Sequence, residues 1–387
     1  MSAPTPSRIA AVSHPLTGSG SVAGAGAVSR RNCSIAAAMA AASSGDAFAW
    51  RTSMRGRGGL CFPFLLKGGG GYRRAAMRDL ALFDHDAVLK AISPADAIEL
   101  VRDGFVRHAA GDWVMPPKLY LDAPPHGDFR AMPARGAGLA ILKWVTSFPR
   151  NPERGLPVVD GAICVSDAGS GALVALVDVR AVTALRTGAV AAIAAQELAR
   201  EDAASVGLIG CGLHGAWAAR CLAAAEYGPG VCFDPDPDRA GALAGELGWE
   251  AGSLEDALAC DVVTCVTPGA EPVVREADLR PGMHLSFLGA DAAGKAEAEI
   301  GAVRRCTLFC DEWAQASHGG ELTGAVEAGV VTRDDVTELG AVLTGEAPGR
   351  PSDDAVTLFD STGLAIQDLA LCRALLERGK PAGTVRA

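Results

Sequence analysis

Residues 204–234 read ASVGLIGCGLHGAWAARCLAAAEYGPGVCFD, and the reading of this stretch decides the fold. The apolar run Val206–Ile209 leads straight into Gly210-x-Gly212-x-x-Gly215, an alanine-rich amphipathic stretch follows, and a second apolar run ends in an acid, Asp234. This is the succession strand, phosphate loop, helix, strand, acid. Gly210 permits the tight turn, Gly212 lets backbone N–H groups approach a pyrophosphate, and Gly215 lets helix and strand pack closely. The start of the helix, where Leu213 lies, then faces the anion. Asp234 falls about twenty residues past the glycines, where a carboxylate can accept hydrogen bonds from both adenosine ribose hydroxyls. A carboxylate there repels a 2′-phosphate, so the pattern points to NAD(H) over NADP(H), although Arg239 is near enough in sequence to tolerate such a phosphate. A βα turn that holds no ligand is the competing reading, because a chain with 47 glycines makes such motifs by chance.

Beyond Asp234 the alternation continues, with a helix near 237–247, strands at 261–266, 284–288 and 307–310, and a turn at Pro268-Gly269. That order predicts an α/β fold, a doubly wound parallel sheet of the Rossmann type over 201–345. Segment 321–345 reads as helical with one Gly-Val-Val turn. The last part, 346–387, holds an apolar run at 356–359 and a helix over 364–377, and is expected to return to the first domain. That first domain, 77–200, opens with two helices broken at Ser93-Pro94, an N-cap and first-turn proline. Short β-like runs follow at 118–121, 129–132, 140–145, 158–165 and 173–177, which predict an antiparallel sheet with a helical layer. Residues 178–198 read as one long alanine-rich helix.

Bulk properties narrow the function. A chain of 387 residues, 49% hydrophobic and 21% charged, fits a soluble globular protein of two domains. It lacks an uninterrupted apolar run of membrane-spanning length. The net charge of −10 argues against a nucleic-acid partner. Eleven scattered cysteines without a CxxC pair indicate thiols in a reducing, cytoplasmic compartment and no metal site. Residues 1–76 differ: they carry nine Lys or Arg against one acid, Asp46, and show no hydrophobic period. Such a segment is expected to be disordered or non-native, with Met77 as the functional start; an organelle transit peptide has the same composition.

Four cations lie inside or beside apolar runs, where charge is costly unless paired: Lys118, Arg130, Lys143 and Arg186. Any one of them alone reads as a strand-end cation facing solvent. Together they would make an anion pocket suited to a substrate carboxylate. Arg186-Thr187-Gly188 can instead meet a phosphate of the dinucleotide, which adds Thr187 to the cofactor set. Asp291 follows the strand at 284–288 and therefore sits on the edge where open α/β sheets bind ligands. Beside a nicotinamide it could hold a substrate amine or take its proton; the plainer alternative is a cap on the next helix. His318, in a loop, is a weaker candidate.

The stretches MPPKLYLD, GDFRAMPA, LKWV followed by NPERGLP, TALRTGA, GLIGCG, GADAAGK, QASHGGE and LFDSTGLAIQD occur in this order from about Leu80 to Gly379. With these stretches the chain resembles the ornithine cyclodeaminase/mu-crystallin family. The resemblance implies a homodimer whose N-terminal α+β dimerisation and substrate domain is closed by C-terminal helices and joined to a Rossmann domain. It implies that Lys118, Lys143 and Arg186 bind the substrate carboxylate, that Arg130 lies near the substrate, and that Asp291, with Lys143, is catalytic. Family members include NAD-dependent alanine dehydrogenases, ornithine cyclodeaminases that convert L-ornithine to L-proline and ammonia, imine reductases, and non-catalytic NAD(P)H-dependent binders. MPPKLYL, GDFRAMP and the HGGE stretch are more similar to the alanine dehydrogenase branch. The expected activity is therefore NAD-dependent oxidation of the Cα of a small L-amino acid through an imino acid, with cyclodeaminase and binder as the alternatives.

Overall fold

The computed structural model describes residues 79–386 apart from Ala270 and Ala293. The reading of residues 1–76, with Met77 as start or a transit peptide before it, lies outside the described residues. Among the described residues the strands form two sheets. The first contains β1 (Asp79–Phe83), β2 (Leu119–Ala123), β3 (Gly127–Gly136), β4 (Leu139–Ser147), β5 (Val159–Asp167) and β6 (Leu173–Asp178). The second contains β7 (Val206–Ile209), β8 (Gly230–Phe233), β9 (Glu250–Ala251), β10 (Val262–Cys265), β11 (His284–Phe287), β12 (Thr307–Cys310), β13 (Val336–Glu338) and β14 (Thr357–Asp360). A last strand, β15 (Gly383–Arg386), returns to the first sheet beside β1.

The first sheet runs β15-β1-β6-β5-β4-β3-β2 and is antiparallel, as expected, except where β1 pairs parallel with β6. Side chains alternate across a strand, so β3 turns Arg130, Met132 and Ala134 inward while β4 turns Ile141, Lys143 and Val145 inward. Two of the four suspected cations thus share a buried apolar face. The helix Val179–Leu198 starts on Asp178, whose carboxylate accepts the Ala181 N–H at 2.7 Å. Ser93 and Asp96 form a reciprocal capping box at Pro94–Ala109.

The second sheet runs β13-β12-β14-β11-β10-β7-β8-β9 with every pairing parallel. Its central strands β7, β10, β11 and β14 are buried throughout, which is why they read as apolar runs without alternation. From β7 the chain goes first to β8 on one side and later to β10 on the other. The crevice between β7 and β10 is therefore the switch point of a doubly wound sheet. At Gly188 an added Cβ would lie 2.3 Å from the Trp217 carbonyl oxygen, so the helix Val179–Leu198 presses on the helix Leu213–Ala224 and brings Arg186 and Thr187 to that crevice.

Two expectations change. Segment 321–345 is not simply helical: between the helices Thr323–Glu327 and Leu339–Thr344 it contributes the edge strand β13, whose three residues are too few for a period to show. The strand of the tail does not return to the first sheet either. β14 inserts between β11 and β12, where its buried Leu358 and Phe359 fill both faces of the parallel sheet. Only the helix Ala365–Arg378 and β15 go back, the helix packing on the inner face of β3 and β4. No helix among the described residues is long and apolar enough to cross a membrane.

Candidate active site

The glycine loop has the geometry its spacing implies. Gly210 has φ +98°, and a Cβ there would stand 2.6 Å from the Val266 carbonyl oxygen, across the switch point. A Cβ on Gly215 would stand 1.8 Å from the Gly210 oxygen, so neither position admits another residue without displacing backbone. At Gly212 the same construction meets nothing within 4 Å, and no side chain caps the twelve-residue helix Leu213–Ala224. The first N–H groups of that helix therefore face open ground, as an anion seat requires. The Asp234 carboxylate accepts the N–H of Cys211 at 2.7 Å and of Asp236 at 2.9 Å, one on each oxygen. Lone pairs remain on both for a ribose diol. Arg239 is largely exposed, with its Nε 3.2 Å from Asp236, so a carboxylate of the chain already occupies it. These residues fit the diphosphate and ribose of NAD.

Next to the loop, Lys118, Arg130, Lys143, Arg186, Thr187 and Asp291 line one cavity. All the cations singled out from the sequence thus converge, and Asp291 faces them. The free space is about 50 Å³, room for a few water molecules. Lys143 is 1% exposed and donates to Asp368 Oδ1 at 2.8 Å. Burial pushes its ammonium down to about 8 against the opposing pull of Asp368. Lys118 donates to the Thr362 carbonyl oxygen at 2.6 Å, and burial lowers it to about 8 as well. Arg186 lies with Nε 3.8 Å from Asp368 Oδ1, against Gly363, where a Cβ would meet its Nη1 at 2.3 Å.

Asp291 is not a helix cap. Its two oxygens accept from Arg130 Nη1 and Lys295 Nζ, each at 2.6 Å. Burial raises its carboxyl, but the two cations outweigh that and hold it well below the usual carboxylate range. Arg130 is fixed in turn by Asp128, 2.6 Å from its Nε. A carboxylate held this way attracts positive charge; it is a poor acceptor of a proton. His318 lies elsewhere, on the rim of an adjoining groove of about 750 Å³ that shares Lys118 with the cavity, its Nδ1 2.8 Å from Ser317 Oγ.

Asp368, Asp311 and Glu297 also belong to the site. Asp368 stands in the apolar run LAIQDLALC, the same signal that marked Lys143, and is wholly buried. Asp311 directly follows β12, as Asp291 follows β11 by a short turn; it accepts the Gly363 N–H at 2.7 Å and so holds the backbone to which Lys118 is bonded. Burial raises it to about 6. Glu297 accepts the N–H groups of Thr267 at 2.6 Å and Gly289 at 2.7 Å, joining the chain beyond β10 to the chain beyond β11 just ahead of Asp291. Among the described residues no group of His, Cys, Asp and Glu could hold a metal ion.

A parallel sheet with a dinucleotide loop at its switch point, opening onto a cationic pocket, defines the class: a nicotinamide-dependent oxidoreductase fold with a seat for a small anionic substrate. The chain belongs to the ornithine cyclodeaminase/mu-crystallin family, whose model matches residues 80–231 and 240–382. It is 37% identical over 303 residues to an alanine dehydrogenase of Archaeoglobus fulgidus, covering 76% of this chain and 94% of that protein. A solved structure of an archaeal alanine dehydrogenase dimer with bound NAD is similar with a TM-score of 0.75 and 36% identity, covering 78% of this chain and 96% of that one. The iminosuccinate reductase of Paracoccus denitrificans, solved in complex with NAD⁺, is similar with a TM-score of 0.72 and 30% identity, covering 78% and 96% respectively.

Proposed function

We propose that the protein is an NAD-dependent oxidoreductase of small L-amino acids, interconverting an amino acid with its imino acid at Cα in the manner of the alanine dehydrogenases of its family. The observation that carries this reading is the convergence of four cations, Asp291 and the dinucleotide loop at one crevice. NAD when bound supplies the hydride acceptor. Lys118, Lys143 and Arg186 take the substrate carboxylate, Thr187 lies against the cofactor, and Arg130 orients Asp291. The negative charge of Asp291 attracts the substrate ammonium and then the iminium cation that develops as the hydride leaves.

The test is a panel of amino and imino acids offered with NAD⁺ or NADH. Steady NADH formation with L-alanine or another small amino acid supports the proposal. Proline formation from L-ornithine without net NADH makes it a cyclodeaminase, and tight NADH binding without turnover of any member makes it a binder.

The two lysines set a pH dependence. Their folded values are lowered to about 8, so they are charged below that pH and neutral above it. Affinity of the NADH complex for a 2-oxo acid, which has a carboxylate but no amine, is expected to hold from pH 6 to about 7.5 and then to fall above about 8, by roughly tenfold per unit for each lysine that must be charged. Titration calorimetry across that range checks it; flat affinity to pH 10 would show that neither lysine binds the carboxylate.

We propose further that a second copy of the chain covers the outer face of the first sheet. Leu119, Leu121, Leu142 and Trp144 are 62%, 54%, 44% and 40% exposed, and Phe129 stacks on Trp144 at 5.6 Å. A contiguous exposed apolar face of this kind marks an interaction surface, and burying it against a second copy removes it from water. Leu142→Lys together with Trp144→Glu is expected to convert a dimer to a monomer in light scattering; an unchanged mass would place the interface elsewhere.

A further inference from the structure

His214, the fifth residue of Gly210-x-Gly212-x-x-Gly215, lines the cavity of the four cations and Asp291. Its Nε2 is shut off from solvent and has no hydrogen-bond partner among the described residues. Leaving a buried polar nitrogen unpaired costs about 1–3 kcal/mol, so such an atom calls for a partner that arrives with the ligand.

We infer that His214 Nε2 is the proton acceptor of this site, the atom that deprotonates the substrate amine ahead of hydride transfer. The inference deepens the functional reading above and rests on it. An α-amino acid presents an ammonium group, whose nitrogen has no lone pair to donate until one N–H proton has left. Once that proton is on Nε2, the freed lone pair forms the C=N bond while the Cα–H bond breaks and its electron pair passes as hydride to the nicotinamide. Substrate is oxidised to an iminium, NAD⁺ is reduced to NADH, and the released proton is on the imidazole.

The other groups facing the cavity are unsuited to that task. Asp291 keeps free lone pairs, but Arg130 and Lys295 outweigh its burial and hold its carboxyl well below the usual range, so it attracts an ammonium without taking its proton. Lys118 and Lys143 are ammonium groups at neutral pH, donating to Thr362 and Asp368, and offer no lone pair. Arg130 and Arg186 are guanidinium groups and never accept. His214 alone of this set is neutral with an unused nitrogen. Burial first, then Arg186, Lys143 and Lys295, hold its imidazole down to about 4, while Asp291 acts in the opposite sense. It therefore stays unprotonated throughout the neutral range, which an acceptor requires. The substrate carboxylate brings a negative charge among the cations that help hold the imidazole down and shifts it toward higher basicity, while burial continues to act against it.

The experiment compares wild type with His214→Gln, which keeps hydrogen-bonding capacity but no base, and His214→Ala, which leaves room for added imidazole. NADH affinity is read by fluorescence in each variant, because His214 lies in the dinucleotide loop, and turnover is compared at saturating NAD⁺ so that a change in cofactor seating does not enter it. The turnover number for amino acid oxidation is expected to fall on the order of 10²–10⁴-fold in both, and imidazole is expected to restore His214→Ala but not His214→Gln. Turnover near the wild-type value in His214→Gln, or loss in His214→Ala without recovery in imidazole, overturns the role of His214 while leaving the functional reading standing. A wild-type protein that binds NADH yet oxidises no amino acid overturns the functional reading, and the inference with it.

Discussion

Asp291→Asn is expected to leave NADH affinity unchanged and to lower the turnover number on the order of 10²–10³-fold. The substitution keeps the shape of the side chain and removes its charge. In the native protein that charge is balanced by Arg130 and Lys295, each 2.6 Å away. Losing it leaves a cavity with four cations and no facing carboxylate, the opposite of what an incoming ammonium or a developing iminium needs. The effect is expected in the turnover number as well as in the KM, because the positive charge on nitrogen is delocalised onto carbon only as the hydride leaves. Steady-state kinetics beside a fluorescence titration of NADH separates the two. Near-normal turnover would mean that Asp291 merely braces Arg130.

The second large effect is on stability. Asp368→Ala is expected to destabilise the protein by about 3–5 kcal/mol, measured by denaturant unfolding at neutral pH. Lys143 and Asp368 are 1% and 0% exposed, so removing the carboxylate strands an ammonium that water cannot reach. Arg186, with Nε 3.8 Å from the same oxygen, loses its counter-charge too. Lys143→Met alone is expected to cost less, about 1–3 kcal/mol, because Arg186 still faces the Asp368 carboxylate. Lys143→Met with Asp368→Leu is expected to regain most of the stability while abolishing carboxylate binding, because two apolar side chains of similar volume need no partner. Additive losses in the double variant would show that the two residues do not act as a pair.

How far these features could be read in the sequence depended on their range along the chain. The dinucleotide loop was legible because each of its constraints is local: Gly210, Gly212 and Gly215 answer to the turn, the phosphate and the helix within six residues. Asp178 and Ser93 were legible as helix starts for the same reason. That Lys118, Arg130, Lys143 and Arg186 would be paired followed from the expense of burying charge in apolar runs, but the identity of the partners did not. Lys143 meets Asp368 across 225 positions and Lys118 meets Thr362 across 244, and no periodicity encodes such contacts. The placement of β14 was hidden similarly. Its four residues read as a strand, yet only packing against β11 and β12 decides which sheet receives it. His214 escaped because the glycines around it already explained the stretch.

The account stands or falls on one spatial claim, that the carboxylate clamp and the nicotinamide meet across a single crevice. A crystal structure of the protein with NADH and a 2-oxo acid tests this directly. The account predicts the pyrophosphate on the first turn of the helix Leu213–Ala224 and the acid's carboxylate on Lys118, Lys143 and Arg186. It places the acid's second carbon about 3–3.5 Å from the hydride-bearing ring carbon, between Asp291 and His214. A nicotinamide turned away from the cations, or a 2-oxo acid bound anywhere but among them, would contradict it.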